Sequence, residues 1–204
     1  SSNDAQLKLY GKVLQGGFLH YGYFENMDID PETISLKDFF QAQHHYAEQL
    51  LHHVPRDSSP VLDVGCGLGG LMHLLAEQGH EVAGLTPDRF QAAYIRDTYH
   101  YDPITTKFEK LDTEKYKSAF GTVINSESLQ YIKLEQGLTV LDAILRPGGR
   151  WIISDYFRTR EAHEKSGHYW NVFIETIDAF NLHVTFEQDI TEHIRPTLAY
   201  FHMW

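Results

Sequence analysis

Apolar positions along this chain change period several times, and each change marks an element. Ala42, Tyr46, Ala47, Leu50 and Leu51 recur at helical spacing behind Ser35-Leu-Lys-Asp38, which has capping-box spacing with Asp in place of the usual Glu. This predicts a helix from about Leu36 to His53, stopped by Pro55. Val61–Val64 is a short apolar strand, Gly65–Gly70 a glycine turn, and Leu71, Leu74 and Leu75 the inner face of a helix that Gly79 ends. Glu81–Leu85 reads as a second strand, and Thr86-Pro87 as an N-cap followed by proline at the first position of a helix reaching about Tyr99. A weaker strand over Lys107–Leu111, a short helix near Lys115–Ala119, a strand at Thr122–Asn125 and a helix over about Leu134–Leu145 continue the period. Arg146-Pro-Gly-Gly149 breaks that helix before a strand at Arg150–Asp155. A helix at about Tyr169–Phe180, a strand near His183–Glu187 and a helix from Thr191 onward follow. No later strand signal exists, so the domain is either truncated at its C-terminal edge or lacks a final edge strand.

Strands alternating with helices imply an α/β fold: a Rossmann-like, mostly parallel sheet with right-handed crossovers and helices on both faces. Ligands in such sheets sit beyond the carboxyl ends of the strands, where the strand order switches. Gly65–Gly70, Thr86, Asp112 and Asn125–Glu127 would then share one rim. The 204 residues suffice for one structural domain, with a lead and helix over 1–55 and the α/β core over 56–204. A net charge of −11 without any dense Lys/Arg run argues against nucleic acid and anionic lipid, which leaves a small molecule as the partner. No apolar run is long enough to span a membrane, and Ser1–Gln6 carry no secretory pattern, so a cytoplasmic protein without stable membrane insertion is expected. The single cysteine, Cys66, has no partner for an internal disulfide. His44 and His45 lie two helical turns from His52 and His53, too far to share an ion, and no metal site is expected. Nothing in the composition fixes the oligomeric state; a homodimer stays open.

The chemistry concentrates at Val61-Leu-Asp-Val-Gly-Cys-Gly-Leu-Gly-Gly70. Gly65 permits the tight turn, Gly67 clears the backbone for a ligand, and Gly69 or Gly70 allows close helix packing. Gly65, Gly67 and Gly70 also satisfy the dinucleotide pattern G-x-G-x-x-G, so a nicotinamide-dependent oxidoreductase remains an alternative on these residues alone.

The segment Asp63-Val-Gly-Cys-Gly-Leu-Gly69 resembles the first motif of class I S-adenosylmethionine-dependent methyltransferases, in which an acid two residues before the first glycine organises the loop. The resemblance implies S-adenosylmethionine as cofactor, S-adenosylhomocysteine as product, and a methionine and ribose cradle of Asp63, Gly65, Cys66, Gly67 and Gly69. Leu145-Arg-Pro-Gly-Gly-Arg150 is similar to the element preceding the fifth strand in that superfamily. Asp112, flanked by Thr113, falls where the family places an acceptor for the adenine amino group, and Asn125 ends the strand at the rim. The second strand ends Gly84-Leu-Thr86 without the usual ribose-binding acid. Instead Gly84-Leu-Thr-Pro-Asp-Arg-Phe-Gln91 resembles the cyclopropane fatty acid synthase branch and related small-molecule C- and N-methyltransferases, which assigns Thr86 and Gln91 to the cofactor, with Asp88 as a rival ribose ligand. His20-Tyr-Gly-Tyr-Phe-Glu25 is similar to the aromatic loop of that branch, implying that Tyr21 covers the sulfonium.

Where the synthases carry a Glu-His pair this chain has Gln130-Tyr131, and Asp189–Pro196 looks more like small-molecule methyltransferases acting on quinones, sterols, tocopherols or methylated amines. Methyl transfer to such an acceptor needs alignment above all; if a proton must leave, His20, Glu127 and Tyr131 are the candidate bases. A non-catalytic S-adenosylmethionine-binding module is the remaining alternative.

Overall fold

The structure, a computed structural model, describes residues 16–159 and 167–202; the first residues, read above for a targeting signal, lie outside that range. The chain forms two compact units, one built from the stretch up to His53 together with the stretch from Thr185 onward, the other from Val54–Val184. The stretch from Thr185, expected in the α/β core, thus clusters with the lead.

The larger unit is the α/β layer structure. Its sheet runs β1 (Val61–Val64), β2 (Val82–Leu85), β3 (Phe120–Ser126) and β4 (Leu145–Ser154), all parallel, in spatial order β2-β1-β3-β4. Leu62, Val64 and Val123 are buried, as expected for strands covered on both faces. Helix α1 (Leu36–Leu51, in the lead unit) precedes β1, and between the strands come α2 (Gly70–Glu77), α3 (Arg89–Tyr99) and α4 (Leu134–Ile144). Pairing of Val64 with both Leu85 and Asn125, and of Ser126 with Ser154, brings the carboxyl ends of the strands to one rim. The order switches between β1 and β3, so the loops after those strands flank the crevice.

Several expected elements differ. Lys107–Leu111 is no strand: Phe108–Lys110 is a 3-10 turn, because Phe108 and Leu111, both buried, stand three residues apart, a helical spacing. The missing neighbour of β2 survives as a single bridge between Leu85 and Ile104, with Ile104 N–H on Gly84 C=O at 2.8 Å. Lys115–Ala119 forms turns in place of a helix. Helix α3 starts at Arg89, and its N-cap is Asp88, whose Oδ1 accepts from Phe90 and Gln91 N–H; Thr86 sits two residues too early to cap it. Strand β4 begins at Leu145, with the Arg-Pro-Gly-Gly stretch as its irregular start. His183–Glu187 has no regular structure, and Val184 and Phe186 are exposed there. A small parallel pair, β5 (Phe157–Arg158) and β6 (His168–Tyr169), precedes α5 (Trp170–Ala179).

In the smaller unit the capping box of α1 forms as the spacing requires, with Ser35 N–H on Asp38 Oδ2 and Asp38 N–H on Ser35 Oγ. Its buried face meets the lead, where Tyr23 N–H donates to Ala42 C=O at 2.8 Å. Helix α6 (Thr191–His202) holds the lead from its other side. The hydroxyl of Thr197, fully buried, accepts from Gly22 N–H at 3.0 Å and donates to Gly22 C=O at 3.1 Å. His193 Nδ1–H donates to Phe24 C=O at 2.7 Å, and its ring stacks on Tyr23 at 4.1 Å. A Cβ on Gly22 would lie 2.7 Å from that of Ala42, so only glycine lets the three segments meet.

Thr197→Val keeps the shape but strands both polar groups of Gly22, a loss of about 1–3 kcal/mol. Urea unfolding measures it, and a change under about 0.5 kcal/mol would show the clamp to be without energetic weight.

Candidate functional site

The rim is organised around the turn after β1. Gly65, Gly67 and Gly69 all have positive φ, at 75°, 54° and 88°, a left-handed path closed to most side chains. The turn is pinned at its start, since Gly65 and Cys66 N–H both donate to Leu85 C=O at 2.8 and 3.1 Å. It feeds α2, whose N-cap Gly69 supplies no side-chain hydrogen bond to the first turn. Beneath it, a Cβ on Gly84 would lie 2.2 Å from Met72 Sδ and 3.0 Å from Cys66 Sγ, so the second strand passes close under the turn. Burial pushes the Cys66 thiol up, first by desolvation and then by the nearby Asp63, so Cys66 packs as a neutral thiol, and its C=O accepts from Gly69 N–H at 2.8 Å.

Asp63 sits within β1, 2% exposed, and its Oδ2 has no hydrogen-bond partner. Desolvation alone pushes its pKa up to about 7.

The switch point is cross-linked by a chain of side chains. Trp151 Nε1 donates to Asn125 Oδ1 at 2.8 Å, Asn125 Nδ2 donates to Ser128 Oγ at 2.9 Å, and Ser128 Oγ donates to Val64 C=O at 2.5 Å. Ser128 lies so close under the turn that a Cβ on Gly65 would meet its Cβ at 2.5 Å. Asn125 is fully buried with both ends of its amide engaged, which makes it a member of the scaffold.

At the end of β2, Thr86 Oγ1 donates to Gln91 Oε1 at 2.6 Å and accepts from Asp88 N–H at 3.1 Å. The two residues singled out by sequence are therefore one hydrogen-bonded pair, and Asp88 uses one carboxylate oxygen to cap α3. Asp112 is exposed in the turn after the Phe108–Lys110 segment, where its Oδ1 accepts from Lys115 N–H at 3.1 Å, with Thr113 half-buried beside it.

Of the three candidate bases, two follow β3. Glu127 adopts a left-handed backbone at φ 51°, its N–H on Ser154 C=O, and Tyr131 ends a 3-10 turn with 78% of its surface exposed. Asp155, just past β4, fixes that turn: its carboxylate accepts from Leu129 N–H at 2.7 Å, Gln130 N–H at 3.2 Å and Tyr156 N–H at 2.8 Å. Burial raises its pKa against those bonds. His168 Nε2 hydrogen-bonds Leu129 C=O at 3.0 Å from the other side. The third candidate, His20, lies with Tyr21 in the smaller unit; its ring donates Nδ1–H to Tyr21 C=O and burial lowers its pKa to about 4. Sequence reasoning missed Ser128, Trp151 and Asp155, whose roles come from contacts across the sheet with residues distant in sequence.

Among the described residues no cluster of His, Cys, Asp and Glu could hold a metal ion. No helix there is long and apolar enough to cross a membrane.

Residues 61–149 match the methyltransferase domain family. An O-methyltransferase of Pyrenophora dematioidea is 29% identical over 151 residues, 70% of this chain and 54% of its own. The 2-methyl-6-phytyl-1,4-hydroquinone methyltransferase of Synechocystis is 25% identical over 182 residues, 83% of this chain and 56% of its own. The chain spans about half the length of such curated relatives. Geranyl diphosphate C-methyltransferase from Streptomyces coelicolor A3(2) shares the fold with a TM-score of 0.76 at 18% identity, over 98% of this chain and 86% of that one. The glycine turn, its acid and the parallel sheet join these matches: over residues 61–149 the chain is similar to methyltransferase domains, which supports the class I S-adenosylmethionine-dependent methyltransferase superfamily.

Proposed function

We propose that this chain binds S-adenosylmethionine along the carboxyl rim of its sheet and transfers the methyl group to a small-molecule acceptor by in-line displacement. The observation that carries the reading is Asp63, a buried carboxylate with an unpartnered oxygen, beside a left-handed glycine turn that opens into a helix without a side-chain cap. A buried carboxylate left alone is costly, and its complement is a cation or a hydrogen-bond donor. An uncapped helix end favours an anion. An amino acid zwitterion joined to a nucleoside supplies both, so the residues present suit the cofactor.

When bound, S-adenosylmethionine supplies a methyl carbon activated by a sulfonium, with a neutral thioether as leaving group. The protein's share is to bind, align and exclude water, an effect worth up to about 7–11 kcal/mol. In this reading the main chain of Gly65, Cys66, Gly67 and Gly69 and the carboxylate of Asp63 take the amino acid and ribose end. Thr86 and Gln91, already paired to each other, with Asp88, take the ribose hydroxyls. Asp112 and Thr113 take the adenine, and Asn125 acts through Ser128 by fixing the turn. Where the acceptor must lose a proton, Glu127 and Tyr131 receive it from the loop that Asp155 holds. His20, the third candidate, lies in the smaller unit, and burial lowers its pKa to about 4. The methyltransferase-domain match over 61–149 favours this reading over the nicotinamide alternative.

Calorimetric titration is expected to give micromolar binding of S-adenosylhomocysteine and none of NAD; binding of NAD alone would overturn the assignment. Asp63→Asn should weaken S-adenosylhomocysteine by about tenfold or more, the scale of a hydrogen bond to a charged group.

The pKa of Asp63 is raised in the folded protein, so the free protein loses stability as pH climbs from the ordinary carboxylate range to about 7 and is level above it. Asp63→Asn should flatten that fall in melting temperature. Cofactor binding, which favours the carboxylate, should strengthen from pH 5 to about 7 and release a proton, read as a dependence of binding heat on buffer at pH 6. An equal pH profile for parent and variant would contradict the role.

Tyr131→Phe should lower turnover on any methylated compound from a metabolite panel while leaving S-adenosylhomocysteine affinity within about threefold. Unchanged turnover removes Tyr131 from the reaction.

A further inference from the structure

A single peptide group, inside the larger unit, joins the glycine turn to the segment that follows β3. Between Val64 and Gly65 the carbonyl accepts from Ser128 Oγ at 2.5 Å, and the N–H of the same planar group donates to Leu85 C=O at 2.8 Å. One hold comes from beyond β3 and the other from β2, the two strands that flank β1, so the orientation of this peptide is fixed from both sides. It is also where the chain enters its left-handed path, since Gly65 has φ 75°. Ser128 itself is 8% exposed, its Oγ accepts from Asn125 Nδ2 at 2.9 Å, and a Cβ on Gly65 would come within 2.5 Å of its own. The main chain of Ser128 serves the opposite end. Its C=O accepts from Tyr131 N–H at 3.3 Å, and Glu127 is its neighbour in the chain. Glu127 N–H is held by Ser154 C=O at 2.8 Å, and Leu129 and Gln130 N–H by the Asp155 carboxylate, so these residues are tied to the end of β4 while Ser128 reaches β1.

We infer that Ser128 is a positioning residue that couples the cofactor turn to the acceptor side: through the Val64–Gly65 peptide, filling the turn sets where Glu127 and Tyr131 stand. This rests on the methyltransferase reading above and adds to it a synergy between the two ligands. In that reading a ligand engages Asp63 before the peptide and the main chain of Gly65–Gly69 after it, so it bears on the peptide's rotation. The peptide turns as a rigid plate, and the short hydrogen bond carries the rotation into Ser128. Close packing against Gly65 leaves Ser128 no space in which to absorb the movement. The hydroxyl cannot simply swing away, because its proton is on Val64 C=O and its lone pair takes the Asn125 amide that Trp151 orients. Such coupling is reciprocal, so an occupied acceptor side holds the cofactor more tightly. Alanine at position 128 leaves the ties of the segment to Ser154 and Asp155 in place and cuts the link to β1 alone.

The full chain labelled with 15N-tyrosine tests this by NMR. Of its twelve tyrosine amides, that of Tyr131 is the one missing from the spectrum of Tyr131→Phe, and it reports on Ser128 because it bonds the Ser128 carbonyl. S-adenosylhomocysteine is titrated into the parent and into Ser128→Ala, with calorimetry on both. The expected result is that the Tyr131 amide resonance of the parent moves in step with S-adenosylhomocysteine saturation. In Ser128→Ala the ligand still binds, weakened about fivefold by the loss of one hydrogen bond, and the Tyr131 amide no longer follows it. A merely structural serine would lower the melting temperature and leave that response intact. A parent resonance indifferent to saturating ligand, or a Ser128→Ala resonance that moves as the parent's does, overturns the coupling while the methyltransferase reading stands. Should Ser128→Ala fail to fold, Ser128→Cys, which keeps the volume with only a weak donor, takes its place and is read in the same way. Absence of S-adenosylhomocysteine binding to the parent in calorimetry, by contrast, sinks the methyltransferase reading and the coupling with it.

Discussion

The site depends on a close approach between Gly65 and Ser128 at the switch between β1 and β3. The turn must run left-handed through three alternate glycines, a path with little intrinsic stability, and it is held by hydrogen bonds that start on β4. Trp151 orients Asn125, Asn125 orients Ser128, and Ser128 takes the last carbonyl of β1. Each group in this chain is satisfied by the next, so the network rigidifies the rim without leaving a buried orphan in it. Gly65 is fixed as glycine twice over, by its φ and by the Cβ of Ser128.

Against that satisfied scaffold, the unsatisfied atoms stand out. Asp63 Oδ2 and Ser126 Oγ near the rim, and His20 Nε2 and Gln43 Oε1 in the lead unit, are buried without partners. Buried polar atoms of this kind are tolerated where a ligand completes them. The loop after β3 shows the complementary device: its candidate carboxylate and phenol are carried on a turn clamped by Asp155 and His168. Rigid support with a few open valences is what alignment-driven catalysis requires.

Much of this was legible in the residues. The four strands of the sheet, the glycine turn, the capping box of Ser35 and Asp38, and the helices after β1, β2 and β3 follow from local pattern and cap chemistry. The pairing of Thr86 with Gln91 gives a local physical basis to two residues chosen by resemblance. The misses have local causes too. Phe108 and Leu111 form an apolar pair that a short window reads as strand, and its spacing decides for a 3-10 turn. The cap of α3 passed to Asp88 because Pro87 extends the turn by two residues. Ser128, Trp151 and Asp155 were invisible because their work is done across strands distant in sequence, and Thr197 because it clamps a glycine 175 positions away. Such contacts have no local signature.

The central claim is that the backbone of residues 65–70, with Asp63 beneath it, is a cofactor cradle. A crystal structure grown with S-adenosylhomocysteine tests it most directly. The account predicts density for the ligand's amino acid end against this turn with a donor on Asp63 Oδ2, and its nucleoside beside Thr86 and Gln91. Ligand bound elsewhere, or a turn that saturating ligand leaves without contact, would contradict it.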